Sequence, residues 1–353
     1  MKKSSYKKKK VIFELFSQNL DWVKEHPSIS FNPDFEKGYV CPLCFDAFFE
    51  KDLAHSAPNP LTIEHIPPES LGGKPLALTC KNCNSKSGHE LDAHLLKHLL
   101  EEDAHLLLPG SKTKATFELN GSKVNGVVEV DDKGEIRFDL QSQRSHPDQS
   151  RRFMKDLIPP QTIYNPIFHP DQLFENGVTT AKFRVSLSKQ SKERRAEVAL
   201  LRIAYLKAFS MFGNGFFINP GLYKVREQIL NPDKEILPKV FWINYDFPKE
   251  LEGINIISLP KELRCYLVIF TLNTQSRARR FAIALPGPTD PGIKVYDYIA
   301  KNLCVGDGTA FVNGMIEHIP DTDYLRVKKY TFASLYLWGE YTKEDYQPRL
   351  PPE

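Results

Sequence analysis

Residues 41–44 read CPLC, residues 61–73 read LTIEHIPPESLGG, and residues 78–94 read LTCKNCNSKSGHELDAH. Two Cys-x-x-Cys pairs, Cys41/Cys44 and Cys80/Cys83, bracket a Glu64-His65 step, and Asn84 follows the last cysteine directly. A Cys-x-x-Cys turn aims two thiolates at one centre about 2.3 Å away, and two such turns complete a tetrahedral S₄ shell around Zn²⁺. A single pair leaves buried or redox-active thiols as an equal reading. Two pairs in one short region favour the metal. Four thiolates leave no open position for water or substrate, so the expected zinc is structural.

The segment between the pairs holds the acid and the histidine. Residues 61–66 are rich in β-branched side chains and stop at Pro67-Pro68, which predicts a short strand, with Ser70-Leu71-Gly72-Gly73 as a loop behind it. After Cys83, Leu91, Leu95, Leu96, Leu99 and Leu100 recur at helical spacing. Asn84 is therefore expected at or near a helix N-terminus, where Asn is a favoured cap. Each feature alone has an ordinary reading: Glu64-His65 as a surface pair at a strand end, Asn84 as a cap, and His89, His94 and His98 as solvated or packed helix residues. Asn84, Gly88 and Asp92 share a face at i, i+4 and i+8.

Taken in order, these residues resemble the HNH, or ββα-metal, endonucleases. The similarity is to the branch whose motif runs acid-His-Ile-x-Pro, Gly-Gly, then Cys-x-x-Cys-Asn with a Gly and an Asp downstream. The phage recombination endonuclease VII family is similar in pairing a Cys₄ zinc with an acid-His step and an Asn after the last cysteine. The resemblance covers residues 36–100. It implies Glu64 and Asn84 as ligands of a catalytic divalent cation and His65 as general base. The face that Asn84, Gly88 and Asp92 share puts Asp92 where it reaches the cation or supports Asn84. The sequence departs from the full His-Asn-His pattern at two places. Lys74-Pro75-Leu76-Ala77 stands where the middle Asn is expected, and Asn84 replaces the last His. That leaves the partner of the second His65 nitrogen open, with Asn82 and the loop backbone as candidates.

The residue types suit the chemistry. Phosphodiester hydrolysis needs a proton acceptor for water and a cation to offset charge on the phosphate. Histidine accepts a proton near neutral pH. Glu and Asn supply hard oxygens, which select Mg²⁺ or Mn²⁺ rather than zinc. The resemblance implies DNA as substrate, 5′-phosphate and 3′-hydroxyl ends, and use in prokaryotic or phage defence against foreign DNA. RNA is the alternative substrate, and a non-catalytic zinc module that binds nucleic acid or protein is the alternative role.

The 353 residues carry a net charge of +3 and 41% hydrophobic side chains, enough for real cores but without the basic excess of a dedicated nucleic-acid binder. Cys265 and Cys304 lie far apart in sequence, which fits reduced thiols in a cytoplasm better than a disulfide framework. The lysine run at 1–10 reads as a solvated tail or a phosphate-binding arm, and 11–25 as an amphipathic helix too short and too acidic for a signal peptide. No run is long enough to cross a bilayer. Residues 114–140 alternate like a β-meander, and 141–152 read as a polar linker leading into a short helix, followed by Pro159-Pro160 and Pro166 as breakers. Residues 192–212 predict a helix ended by Gly213. Its Arg194, Arg195, Arg202 and Lys207 read as solvated charges or as a basic face for phosphates. Beyond it, 240–245, 265–272, 280–285 and 324–332 read as strands and 294–302 as a helix. The turn 275–280 is basic, and Pro348, Pro351 and Pro352 mark a tail.

The expected architecture is α+β. Residues 1–35 form a basic tail and helix, and 36–105 a small zinc-ribbon ββα-metal nuclease domain. Residues 106–353 form a larger mixed domain that selects substrate, a protein partner or a second copy of the chain.

Overall fold

The computed structural model describes residues 3–26, 29–31, 34–141, 144–157, 183–219, 221–239, 242–243, 247–287, 294–303, 314–319, 324–335 and 344–346. Pro159-Pro160, Pro166, Cys304 and the proline-rich end at Pro348, Pro351 and Pro352 lie outside them. The chain forms two compact units, one from residues 1–96, 192–273 and 278–353, the other from 97–191 and 274–277. Helices and mainly antiparallel sheets make up both, so the class is α+β.

The first unit is built on the helix Glu193–Phe212, whose buried residues lie on every face. A helix apolar all round is a core element, not a surface one. Gly213, at φ 66° and ψ −144°, stops it in a conformation that glycine adopts readily, and a Cβ there would run into the side chain of Asn19. Against this helix lies Lys3–Lys24, which buries Phe13, Phe16, Leu20 and Val23 at helical spacing. The reading of 1–10 as a disordered tail is corrected here, because the helix begins at Lys3 and Lys9 is buried. The apolar stripe that starts at Phe13 anchors the following turns, and the lysines before it simply continue the hydrogen-bond ladder.

A five-stranded antiparallel sheet belongs to the same unit, in the order Trp242–Ile243, Ala278–Pro286, Cys265–Asn273, Gly253–Leu259, Met315–His318. Cys265–Phe270 is buried at every position, as befits a central strand covered on both faces. The helix expected at 294–302 is present as Lys294–Asn302. The strand expected at 324–332 is not: Lys328–Leu335 is helical. β-branched and aromatic residues favoured a strand locally, but tertiary partners decide. Thr331 donates to the Tyr324 carbonyl at 2.6 Å and accepts from Asn19 at 3.3 Å, which ties that turn to the N-terminal helix.

The second unit is a four-stranded antiparallel sheet ordered Ile136–Leu140, Ser122–Val130, Lys112–Leu119, Arg184–Leu187. The first three are the meander read from the sequence. Helix Pro147–Leu157 packs Phe153 onto the sheet among Ala115, Phe117, Val124 and Val128.

Candidate functional site

Two small pieces of chain create the cysteine cluster. Tyr39–Val40 and Ala47–Phe48 pair as a short hairpin that carries Cys41 and Cys44 in its turn. Cys80 ends the strand Lys74–Cys80 and caps the helix Lys81–Ser87, its sulfur accepting from the Cys83 N–H at 3.5 Å. All four sulfurs lie within 4.8 Å of one another, and Cys44 Sγ to Cys80 Sγ is 3.8 Å. Thiolates about 2.3 Å from a tetrahedral ion are themselves about 3.8 Å apart, so the cluster fits zinc. S–H groups of Cys41, Cys44 and Cys83 pull the Cys80 thiol far below its usual range, while burial pushes Cys41 up. Such a set loses its protons together when a soft cation replaces them.

Tyr39 joins the two halves. Its hydroxyl donates to the Leu78 carbonyl at 2.6 Å and accepts from the Leu78 N–H at 3.0 Å. On the other side, Tyr205 of the long helix donates to the Pro42 carbonyl at 2.9 Å, inside the first Cys-x-x-Cys turn. Phe16, Phe209 and Phe217 fill the space below, with centroids 4.8 and 4.6 Å apart.

The expected strand is present as Leu61–Ile66 and pairs with Lys74–Cys80. Between Glu64 and His65 the ladder loses register, Leu76 being the additional residue opposite. Strict alternation would send neighbouring side chains to opposite faces; a bulge is the device that re-aims one of them. The Gly72-Gly73 loop returns tightly, since Gly72 has φ 90° and a Cβ on Gly73 would overlap the Pro67 carbonyl oxygen. His65 is half-buried, and no hydrogen bond reaches its ring among the described residues. Asn82, a candidate to orient it, instead donates its backbone N–H to Asn59 at 3.0 Å.

Asn84 lies near the helix N-terminus as expected, but it is not the cap. Cys80 takes that place, and Asn84 lies one turn inside the helix. Its side-chain amide donates to Thr62 Oγ1 at 2.9 Å and to the Ile63 carbonyl at 3.4 Å. A carbonyl only accepts, so the nitrogen must face the strand. Among the described residues, no hydrogen bond reaches the Asn84 side-chain carbonyl oxygen. Thr62 donates onward to the Thr79 carbonyl at 2.9 Å, and Thr79 Oγ1 donates to Glu64 Oε2 at 2.7 Å. Asn84 and Glu64 thus hang from one cross-strand threonine pair.

Glu64 is 4% exposed, and its other oxygen accepts from Arg202 at 2.7 Å. Arg202, 1% exposed, also reaches Asp92 at 3.2 Å. Burial opposes the guanidinium charge, but Glu64 and Asp92 outweigh it and raise its pKa. Burial raises the Asp92 carboxyl, with Arg202 pulling the other way. Asp92 ends a π-helical turn, Gly88–Asp92, inserted between Lys81–Ser87 and Ala93–His105. Such turns interrupt the 3.6-residue repeat, and the Asp92 carboxylate here meets Arg202. His89 has no hydrogen bond among the described residues, His94 accepts from the Lys192 N–H at 3.1 Å, and His98 pairs with Glu102 at 3.4 Å.

The readings of the long helix as carrying solvated charges or a basic face are corrected at three residues. Arg194 donates to Gln228 and to the Leu237 carbonyl, Arg195 forks onto Asp233, and Arg202 is wholly internal. The sequence reading missed Tyr39, Thr62, Thr79 and the internal role of Arg202. Only the Thr62/Thr79 pair had a local signal, in β-branched strand positions.

Residues 54–100 match the family model of an HNH endonuclease. That span holds Glu64, His65, Cys80, Cys83, Asn84 and Asp92 and leaves out Cys41, Cys44 and Arg202. No curated protein and no solved structure is detectably similar to the chain. Among the described residues, no helix is long and apolar enough to cross a membrane.

Proposed function

We propose that this protein is a metal-dependent HNH endonuclease that hydrolyses phosphodiester bonds in DNA, with a structural zinc held by Cys41, Cys44, Cys80 and Cys83. The observation that carries the reading is the Asn84 side chain. It is pinned by Thr62 and Ile63, so that among the described residues its carbonyl oxygen is free beside the strand bearing Glu64 and His65. The donor chemistry fits a hard cation. A carboxylate has about four acceptor positions, of which Arg202 and Thr79 take two on Glu64, and an amide oxygen is the companion ligand that Mg²⁺ or Mn²⁺ accepts. The bound cation would offset charge on the phosphate and on the leaving oxygen. His65 accepts the proton of the attacking water as its oxygen bonds to phosphorus. The bond from phosphorus to the 3′ oxygen breaks, giving a 5′-phosphate and, once that oxygen is protonated, a 3′-hydroxyl. The half-buried imidazole at the bulge is open to water yet held by the strand. Defence against foreign DNA in a prokaryotic or phage setting is the use that the resemblance supports, with residues 106–353 choosing substrate or partner.

A second reading has its own observation. Glu64 is buried and paired, as it would be in a zinc module whose Glu64–Arg202–Asp92 cluster only stabilises the fold. One experiment separates them: the full chain is incubated with plasmid, single-stranded DNA and RNA, with Mn²⁺ or EDTA, beside His65→Ala and Asn84→Ala. Cation-dependent DNA cleavage lost in both variants supports the endonuclease. Cleavage of RNA alone changes the substrate. Equal cleavage by His65→Ala removes the assigned base, and no cleavage by any form favours the binding module.

A further inference from the structure

We propose that Arg202, 138 residues from Glu64 in sequence, is a positioning residue for the cation site, and that with Asp92 it sets the orientation of Glu64. The inference deepens the endonuclease reading and rests on it. Three observations carry it. Arg202 is 1% exposed, so it touches no phosphate and acts only through what it holds. Its Nη2 lies 2.7 Å from Glu64 Oε1 while Nη1 lies 3.2 Å from Asp92 Oδ1, so one planar fork spans the strand and the helix of the motif. Thr79 takes the opposite Glu64 oxygen at 2.7 Å, which stops the carboxylate turning about its own axis.

A carboxylate that ligates a metal is ordinarily hydrogen-bonded behind, and those outer partners set its direction. Arginine serves here where lysine would not, because a guanidinium presents two donors in a fixed plane and an ammonium is a point charge. A cation site beside a bare guanidinium would repel its ligand. Asp92 offsets that repulsion, since it takes the other side of the same guanidinium at 3.2 Å. The site therefore extends beyond the 54–100 motif onto the long helix, which also holds the first Cys-x-x-Cys turn through Tyr205.

The test uses the full chain and two substitutions, Arg202→Lys and Asp92→Asn. Free Mn²⁺ is followed by electron paramagnetic resonance, zinc content reports the Cys₄ site, and plasmid cleavage is measured across Mn²⁺ concentrations. Arg202→Lys keeps the charge and loses the fork, so Mn²⁺ binding weakens about 10- to 100-fold, the range for an outer partner of a metal ligand. Cleavage recovers as Mn²⁺ is raised, while zinc stays at the wild-type level. Asp92→Asn weakens Mn²⁺ binding as well, and it decides the matter if Arg202→Lys does not fold. Unchanged Mn²⁺ affinity in a folded variant overturns the proposal and leaves Arg202 as a core ion pair. His65→Ala separates the two levels: it binds Mn²⁺ like the wild type and does not cleave. If the wild type itself binds no Mn²⁺, the endonuclease reading fails and this inference falls with it.

Discussion

Tyr39→Phe removes a single oxygen, and the structure says what that oxygen does. The Tyr39 hydroxyl satisfies both the carbonyl and the N–H of Leu78, at 2.6 and 3.0 Å, on the edge of Lys74–Cys80 that Leu61–Ile66 does not cover. Tyr39 is 1% exposed and Leu78 is fully buried, so water does not replace the lost partner. Phe fills nearly the same volume, which leaves no cavity. The cost is that of two backbone groups left buried and unpaired, each about 1–3 kcal/mol, less relaxation, or about 2–4 kcal/mol in all. Trp22 and Trp242 lie in the first unit, so tryptophan fluorescence in urea follows its unfolding. With a slope of about 2 kcal/mol/M, the midpoint falls by about 1–2 M. Zinc content is measured on the same samples, because Tyr39 holds the two cysteine pairs together and its loss also loosens their grip on the ion. A loss below about 0.5 kcal/mol would refute the reasoning and mean that water reaches Leu78.

Three further outcomes follow from the same coordinates. Gly73→Ala drives a Cβ into the Pro67 carbonyl, a backbone atom with little room to move, and costs about 3 kcal/mol, read as the urea midpoint; an unchanged midpoint would show that the loop has an alternative path. Emission spectroscopy finds one zinc per chain, and a strong chelator or Cys80→Ser abolishes the cooperative tryptophan transition of the first unit, because a structural zinc contributes folding energy directly; an unaltered transition would make the cluster four plain thiols. The hydrogen bond from Arg195, ahead of the opposing burial, holds the Asp233 carboxyl below its ordinary value. Its contribution is therefore complete above about pH 4 and lost as pH falls through the folded value; Asp233→Asn removes that acid-side dependence. Because Asp233 is 60% exposed, the change stays below about 1 kcal/mol, and a larger or alkaline-side effect would contradict the assignment.

Much of the candidate site was legible in the chain because its signals are short-range. The strand Leu61–Ile66 ends at the prolines that predict its end, the cysteine pairs converge as their spacing requires, and Gly213 stops its helix. Local reasoning failed where a residue's role depends on what covers it. Asn84 read as a cap from its place in a helix, yet the strand threonine claimed its amide. Residues 324–332 read as strand from side-chain type, but contacts with the N-terminal helix hold that stretch partly in a helix.

By itself the sequence determined the pieces: a Cys₄ cluster, an acid-His strand, a helix after the last cysteine, and an α+β class. These rest on spacings of a few residues, where backbone geometry leaves few choices. Only the tertiary structure decided that Arg202 lies inside the motif rather than on a basic surface, and that Tyr39 and Tyr205 hold the cysteine turns. A charge carries no mark of its own burial in the chain around it. Burial is set by which distant segments pack over it, and here the guanidinium is tolerated because two carboxylates from elsewhere in the chain meet it.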